Sequence, residues 1–81
     1  MKLRVYFDPR VREVLRAAAP ALRLTIADAL LDLGDDPIPV GAQPYAEVEG
    51  AYELATPVFR AIYTYDGDLP YVSVWVLHIN T

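Results

Sequence analysis

Two side chains in the second half of the sequence could take part in phosphate or proton chemistry: Arg60 and His78. A guanidinium can hold two phosphate oxygens in a planar fork. Histidine gains and loses a proton near neutral pH, so it can serve as a general acid or base. We treat Arg60 and His78 as candidate site residues. The alternatives are a cross-strand ion pair between Arg60 and Glu53, and an ordinary surface histidine.

The composition excludes several other kinds of site. The chain has no cysteine and a single histidine, so a disulfide scaffold, a thiolate zinc site and a histidine-rich metal site are all excluded. Asp35 and Asp36 precede Pro37, a pattern typical of a loop after a helix. No phosphate-binding glycine loop is visible. We therefore predict no metal and no cofactor.

The charges are distributed unevenly along a chain whose net charge is −4. Six of the seven basic residues lie in the first 23 positions, whereas nine of the eleven acids follow them. Affinity for nucleic acid comes from clustered lysine and arginine, so only the N-terminal elements could present a basic patch. Arg4, Arg12 and Arg16 are the candidate nucleic-acid-binding residues. For Arg12 and Arg16 the alternatives are binding of an acidic tail of a partner protein and a solvated helix face.

The first half of the sequence predicts a strand followed by a helical hairpin. Residues 2–7 alternate between polar and apolar, as in a strand with one buried face. Asp8 and Pro9 are typical of a helix N-cap and first helical position, and Pro20 ends that helix. A second helix runs from Pro20 or Ala21 to Leu33. The stripes predicted to face the core are Val11, Val14, Leu15 and Ala18 in the first helix and Leu22, Ile26, Ala29, Leu30 and Leu33 in the second.

The second half predicts a loop and then antiparallel strands. Residues 35–44 contain three prolines and are expected to form an ordered irregular loop. Runs of aromatic and β-branched residues follow, separated by turn residues such as Asp66-Gly67. The predicted strands are Tyr45 to Val48, Tyr52 to Ala55, Phe59 to Tyr65 and Tyr71 to Ile79. The fold class predicted is α+β, one domain over residues 1–81, with the helices packed on one face of the sheet.

Strand alternation divides the sheet residues between two faces. Arg60 and His78 fall on the open face, away from the helices. The open face is predicted to carry Arg4, Tyr6, Glu53, Arg60, Ile62, Val74, Val76 and His78. The helix-covered face is predicted to carry Leu3, Val5, Phe7, Tyr52, Leu54, Phe59, Ala61, Tyr63, Trp75, Leu77 and Ile79.

An apolar strip on the second helix is a candidate partner-binding surface. Leu24 and Leu31 lie seven residues apart and outside the core stripe, beside Ala27. Such a strip suits a partner helix or a second copy of the chain. No stretch approaches ~18 uncharged apolar residues, so we expect no membrane association and a cytoplasmic protein.

The order of these elements resembles the RelE/ParE toxin superfamily over nearly the whole chain. The segments that carry the resemblance are Phe7-Asp8-Pro9-Arg10, Asp36-Pro37, Gly50-Ala51-Tyr52-Glu53-Leu54, Phe59-Arg60-Ala61-Ile62-Tyr63 and Val74-Trp75-Val76-Leu77-His78. The resemblance implies a toxin of a bacterial type II toxin–antitoxin system, neutralised by its cognate antitoxin. RelE-like members cleave mRNA on the ribosome, and ParE-like members inhibit DNA gyrase. Arg60 matches an arginine that contacts the scissile phosphate, and His78 matches a position with an acid–base or phosphate role. The resemblance therefore makes Arg60 and His78 the candidate catalytic residues.

One departure from this pattern keeps a second hypothesis open. Ribonuclease members usually carry lysines or arginines in the segment where this chain has Gln43 to Glu49, which is acidic. The chain is therefore either an mRNA endoribonuclease or a non-catalytic module. The second class includes a gyrase-inhibiting toxin and an inactive toxin-like protein that binds a partner.

Overall fold

The computed structural model describes residues 2–80, in which two helices lie on one face of a five-stranded sheet. The predicted α+β fold class is confirmed. The elements in chain order are β1 (Arg4–Phe7), α1 (Pro9–Ala17), α2 (Pro20–Leu31), one turn of 3-10 helix (Asp32–Gly34), β2 (Ala42–Pro44), β3 (Ala51–Ala55), β4 (Phe59–Tyr65) and β5 (Tyr71–Ile79).

The helix starts predicted from local sequence signals are confirmed. The Asp8 carboxylate accepts a 2.9 Å hydrogen bond from the Arg10 N–H, and Pro9 occupies the first turn of α1. Pro20 begins α2, which ends at Leu31 and tightens into the 3-10 turn rather than continuing to Leu33. That turn brings the Gly34 carbonyl within 2.7 Å of the Leu3 N–H, so it ties the helical hairpin to the N-terminal segment.

The sheet has the strand order β1-β5-β4-β3-β2. The pairings β2–β3, β3–β4 and β4–β5 are antiparallel, whereas β1 pairs in parallel with residues 71–74 of β5. Among residues 2–80 no helix is long and apolar enough to cross a membrane.

The strand predicted at Tyr45 to Val48 is wrong. The first strand after the helices is β2, inside the predicted loop, and residues 46–50 form successive turns. The Val48 N–H donates to the Tyr45 carbonyl, and Gly50 has φ +80°, a conformation that glycine adopts without strain. The chain therefore reverses after β2, and Tyr45 stands at the corner.

The core lies between the helices and one sheet face, where both predicted helix stripes contribute. Of the strand residues predicted to face the helices, all but Trp75 lie in this core or pack against it. Tyr63 is fully buried, stacks on Tyr52 with ring centroids 5.8 Å apart, and donates a 2.6 Å hydrogen bond to the Pro37 carbonyl. Burial, followed by the nearby Tyr52 and Asp36, raises the pKa of Tyr63 to about 12. Tyr63 thereby anchors the loop that follows the helices.

Two predicted side-chain directions in β5 are wrong because the strand contains a β-bulge. Ile62 lies opposite Val76 and Tyr63 lies opposite Val74, so Trp75 has no partner on β4. An extra residue reverses the alternation of side chains on one side of the bulge. Val74 is consequently buried in the core, and Trp75 turns to the open face near Tyr45.

Candidate functional site

Arg60 and His78 lie directly opposite each other on β4 and β5. Both side chains are exposed on the sheet face that the helices leave open. Residues paired in this way have Cβ atoms roughly 4.5–5.5 Å apart, so one phosphate group could contact both side chains. Both residues lie on the open face, as predicted, whereas their catalytic roles stay predictions.

Glu53 on the neighbouring strand β3 forms an ion pair with Arg60. The Arg60 Nε atom lies 3.3 Å from Glu53 Oε2, and the side chains are 54% and 30% exposed. A pair this exposed stabilises the fold by at most about 1 kcal/mol. The contact engages Nε, and among residues 2–80 no other carboxylate lies within ion-pair distance of Arg60. The outer edge of the guanidinium can therefore still bind an anion.

An aromatic pair borders the Arg60–His78 site. Tyr45 follows β2 and Trp75 belongs to β5, yet their ring centroids are only 6.4 Å apart, edge to face. The pair must therefore reach across the two strands between them. Ile62 faces the same side and is only 4% exposed, although no helix covers this face.

The surroundings of Tyr45 raise the pKa of its hydroxyl. Its hydroxyl donates a 2.7 Å hydrogen bond to Glu47 Oε2, and this bond is the main reason that the pKa of Tyr45 is raised. Desolvation and the charge of Glu47 raise it further, Arg60 opposes them, and Glu53 adds a small rise. Trp75 Nε1 is buried and has no hydrogen-bond partner among residues 2–80. The site thus combines one cation, one histidine, two carboxylates and an aromatic wall.

Solved structures with the same architecture are toxins and toxin–antitoxin complexes. The RelBE2 complex of Mycobacterium tuberculosis matches with a TM-score of 0.83 and 18% identity, covering 99% of this chain and 100% of the other. The archaeal RelE–RelB complex of Pyrococcus horikoshii matches with a TM-score of 0.80 and 17% identity, covering 98% and 96%. The E. coli RelBE complex matches with a TM-score of 0.76 and 16% identity, covering 98% of both chains. The chain has the RelE fold.

No protein-family model matches the sequence, and no curated protein matches it. The likeness therefore rests on backbone shape at 16–18% identity. The RelE fold explains how β4 and β5 carry Arg60 and His78. It does not by itself assign a reaction to them.

The predicted nucleic-acid-binding arginines lie away from the open-face site. Arg4 pairs with Tyr71, seven residues before His78 on β5, which places it roughly 20 Å from His78 at ~3.3 Å per residue. Arg12 donates from Nε to the Phe7 carbonyl at 3.2 Å, and Arg16 forms a 2.8 Å ion pair with Glu13. Both belong to α1, on the other side of the sheet in the RelE fold. A role for these arginines in binding nucleic acid stays a prediction.

The predicted partner-binding strip is exposed on α2. Leu24 and Leu31 are 64% and 43% exposed, and Ala27 is half-buried. Whether a partner covers this strip stays a prediction.

Asp35 and Asp36 do not belong to a metal-binding cluster. Residues 2–80 contain no group of three or more potential ligands arranged so that they could hold a metal ion.

Sequence reasoning missed Tyr45 and Trp75 as parts of the site. The sequence pattern predicts Tyr45 within a strand and Trp75 in the core, and both predictions are wrong because of the turn after β2 and the bulge in β5. The Pro44-Tyr45 step was the available signal for the corner, because proline is disfavoured within a central strand. No local signal marks the bulge.

Proposed function

We propose that this chain is the toxin of a bacterial toxin–antitoxin pair, acting in the cytoplasm and inhibited by a protein antitoxin. Its RelE fold extends over 98–99% of the chain, and the similar structures described above are complexes of a toxin with its antitoxin. We infer from these complexes that the partner of this chain is also an antitoxin protein. The antitoxin that would bind it is a separate protein.

We further propose that the open sheet face cleaves RNA, with mRNA on the ribosome as its substrate. The observation that carries this proposal is the register of β4 and β5, which sets Arg60 opposite His78. In the reaction the ribose 2′-oxygen attacks the adjacent phosphorus, and the bond from phosphorus to the 5′-oxygen breaks. The products are a 2′,3′-cyclic phosphate and a 5′-hydroxyl, so the step consumes no water.

Each side chain has a chemical role in this reaction. Arg60 stabilises the negative charge that develops on the phosphorane oxygens. One proton leaves the 2′-hydroxyl and another must reach the 5′-oxygen, so two proton carriers are needed. His78 is the candidate acid that protonates the leaving oxygen. Glu53, the carboxylate in contact with Arg60, is the candidate base.

The second candidate function is a non-catalytic module, either a gyrase inhibitor or an inactive toxin relative. The observation that favours it is the negative charge around Arg60. Glu53 pairs with Arg60, Glu47 and Glu49 occupy the adjoining turn, and residues 24–81 contain no other lysine or arginine. Such a surface repels a nucleic-acid backbone more than a basic or neutral protein.

The deciding experiment is brief induction of the chain in bacteria while labelled amino acids and labelled thymidine are followed. An mRNA endoribonuclease depresses amino-acid incorporation first, and Arg60→Ala or His78→Ala removes that effect. Arg10→Ala is the matched control, because Arg10 is an exposed arginine of α1 far from the open face. A first fall in thymidine supports the gyrase alternative. Normal growth of the induced cells, with no fall in either incorporation, would contradict the proposal that the chain is a toxin.

A further inference from the structure

A groove of about 460 Å³ lies on the side of the sheet opposite to Arg60. Ala29 of α2 and Leu33 of the 3-10 turn line it from one side, Pro39 and Val40 of the following loop line it from the other, and Leu54 of β3 adds a core-facing side chain. These surfaces are apolar. The volume is large enough to accept one bulky apolar side chain together with its neighbours.

The rim of the groove is acidic. Asp32, Asp35 and Asp36 line it, and all three are exposed. Lys2 lies 3.8 Å from Asp35 through an exposed contact, and among residues 2–80 no cation lies within ion-pair distance of the other two. These carboxylates do not form a metal-binding cluster within the described part of the chain.

The loop that closes the groove holds apolar side chains out in solvent. Val40 is fully exposed and Ile38 is 47% exposed. Pro37 and Pro39 restrict the backbone, and the Tyr63 hydroxyl and the Ala42 N–H bind the carbonyls of these two prolines at 2.6 and 3.0 Å. Because the loop is already ordered, binding of a partner here would cost little conformational entropy.

We propose that this groove binds a segment of a partner protein that carries a bulky apolar side chain between lysine or arginine residues. The apolar walls would take the anchor, and the three aspartates would pair with the flanking cations. The net charge of −4, with only Arg60 as a cation after residue 23, favours a basic partner over an acidic one. The groove is separate from the open face, so the inference does not depend on cleavage of RNA.

Titration of the purified ¹⁵N-labelled chain with a synthetic amphipathic leucine–lysine peptide tests this inference by NMR. We expect shifted amide signals around Ala29, Leu33 and Val40. A peptide of the same composition in scrambled order should bind at least about tenfold more weakly, because it lacks an apolar anchor face. Equal binding of the two peptides, or shifts confined to other surfaces, would overturn the proposal.

Groove variants and matched controls separate specific docking from general attraction to an acidic protein. Val40→Ser and the pair Asp32→Asn with Asp36→Asn should each weaken binding by at least about tenfold. Leu69→Ser changes an exposed apolar residue outside the groove, and Asp66→Asn with Asp68→Asn removes two acids of the β4–β5 turn. These controls should bind like the original chain.

Two further outcomes would also reject the proposal. Unchanged binding by both groove variants means that the groove is not used. A dimer of the free chain that Val40→Ser converts to a monomer means that a second copy occupies it. The readout is binding by purified protein, so its failure leaves the proposed toxicity untouched.

Discussion

At the scale of single residues, the hydroxyl of Tyr63 connects the core to the loop of the groove. Tyr63→Phe keeps the ring but leaves the Pro37 carbonyl without its 2.6 Å donor. Loss of one such hydrogen bond costs about 0.5–1.5 kcal/mol. We expect the urea midpoint to fall accordingly with an unchanged slope. A midpoint equal to that of the original chain would mean that water replaces the bond at no cost.

The raised pKa of Tyr63 predicts that the protein loses stability at alkaline pH. Its pKa rises from 10.0 to about 12 on folding, mainly through burial. A pKa that is raised on folding gives a stabilisation that is fully present below pH 10 and disappears as the pH rises towards 12. Denaturation of the original chain and of Tyr63→Phe should therefore show a difference in stability that shrinks over this interval. A difference constant from pH 8 to 12 would contradict the assigned cause.

The negative charge of Glu53 lowers the affinity of Arg60 for an anion. Glu53→Gln removes the negative charge 3.3 Å from Nε, so single-stranded RNA should bind more tightly, by about threefold to tenfold. Fluorescence anisotropy with a labelled oligonucleotide measures this change. Glu49→Gln is the control, since Glu49 is an exposed acid without an ion pair among residues 2–80. An equal gain from both variants would show a general charge effect rather than release of Arg60.

At the scale of elements, local signals predicted the helices well and the strands less well. The N-cap of α1 and Pro20 of α2 act within a few residues, so the sequence alone locates them. The parallel pairing of β1 with β5 and the bulge at Trp75 depend on contacts across the sheet, which no short segment encodes. The predicted placement of Arg60 and His78 on the open face is correct because His78 follows the bulge in β5 and Arg60 precedes the register shift in β4, where the alternation is regular.

The 3-10 turn after α2 depends on a glycine. A Cβ at Gly34 would lie 2.5 Å from the Leu3 carbonyl oxygen, so Gly34→Ala must move backbone that also forms the 2.7 Å bond to Leu3. We expect a loss of roughly 1–3 kcal/mol, typical of strain from overpacking. Gly67→Ala is the control, because its Cβ would come no closer than 3.8 Å to the Tyr65 hydroxyl. Equal thermal midpoints for the two variants would contradict this account.

At the scale of the whole molecule, the uneven charge predicts how binding of RNA depends on salt. For single strands, the slope of log K against log salt concentration is about −0.7 for each phosphate neutralised. Arg60 is the one arginine of the open-face site. Arg4 lies on β1, opposite the far end of β5, and Arg12 and Arg16 lie on α1. The slope should therefore be near −0.7, and Arg60→Ala should abolish binding. A slope near −2 that the variant Arg4→Gln, Arg12→Gln, Arg16→Gln reduces would show instead that the three N-terminal arginines bind the strand. No binding at any salt concentration would favour the gyrase-directed alternative, since that function requires no contact between the open face and RNA.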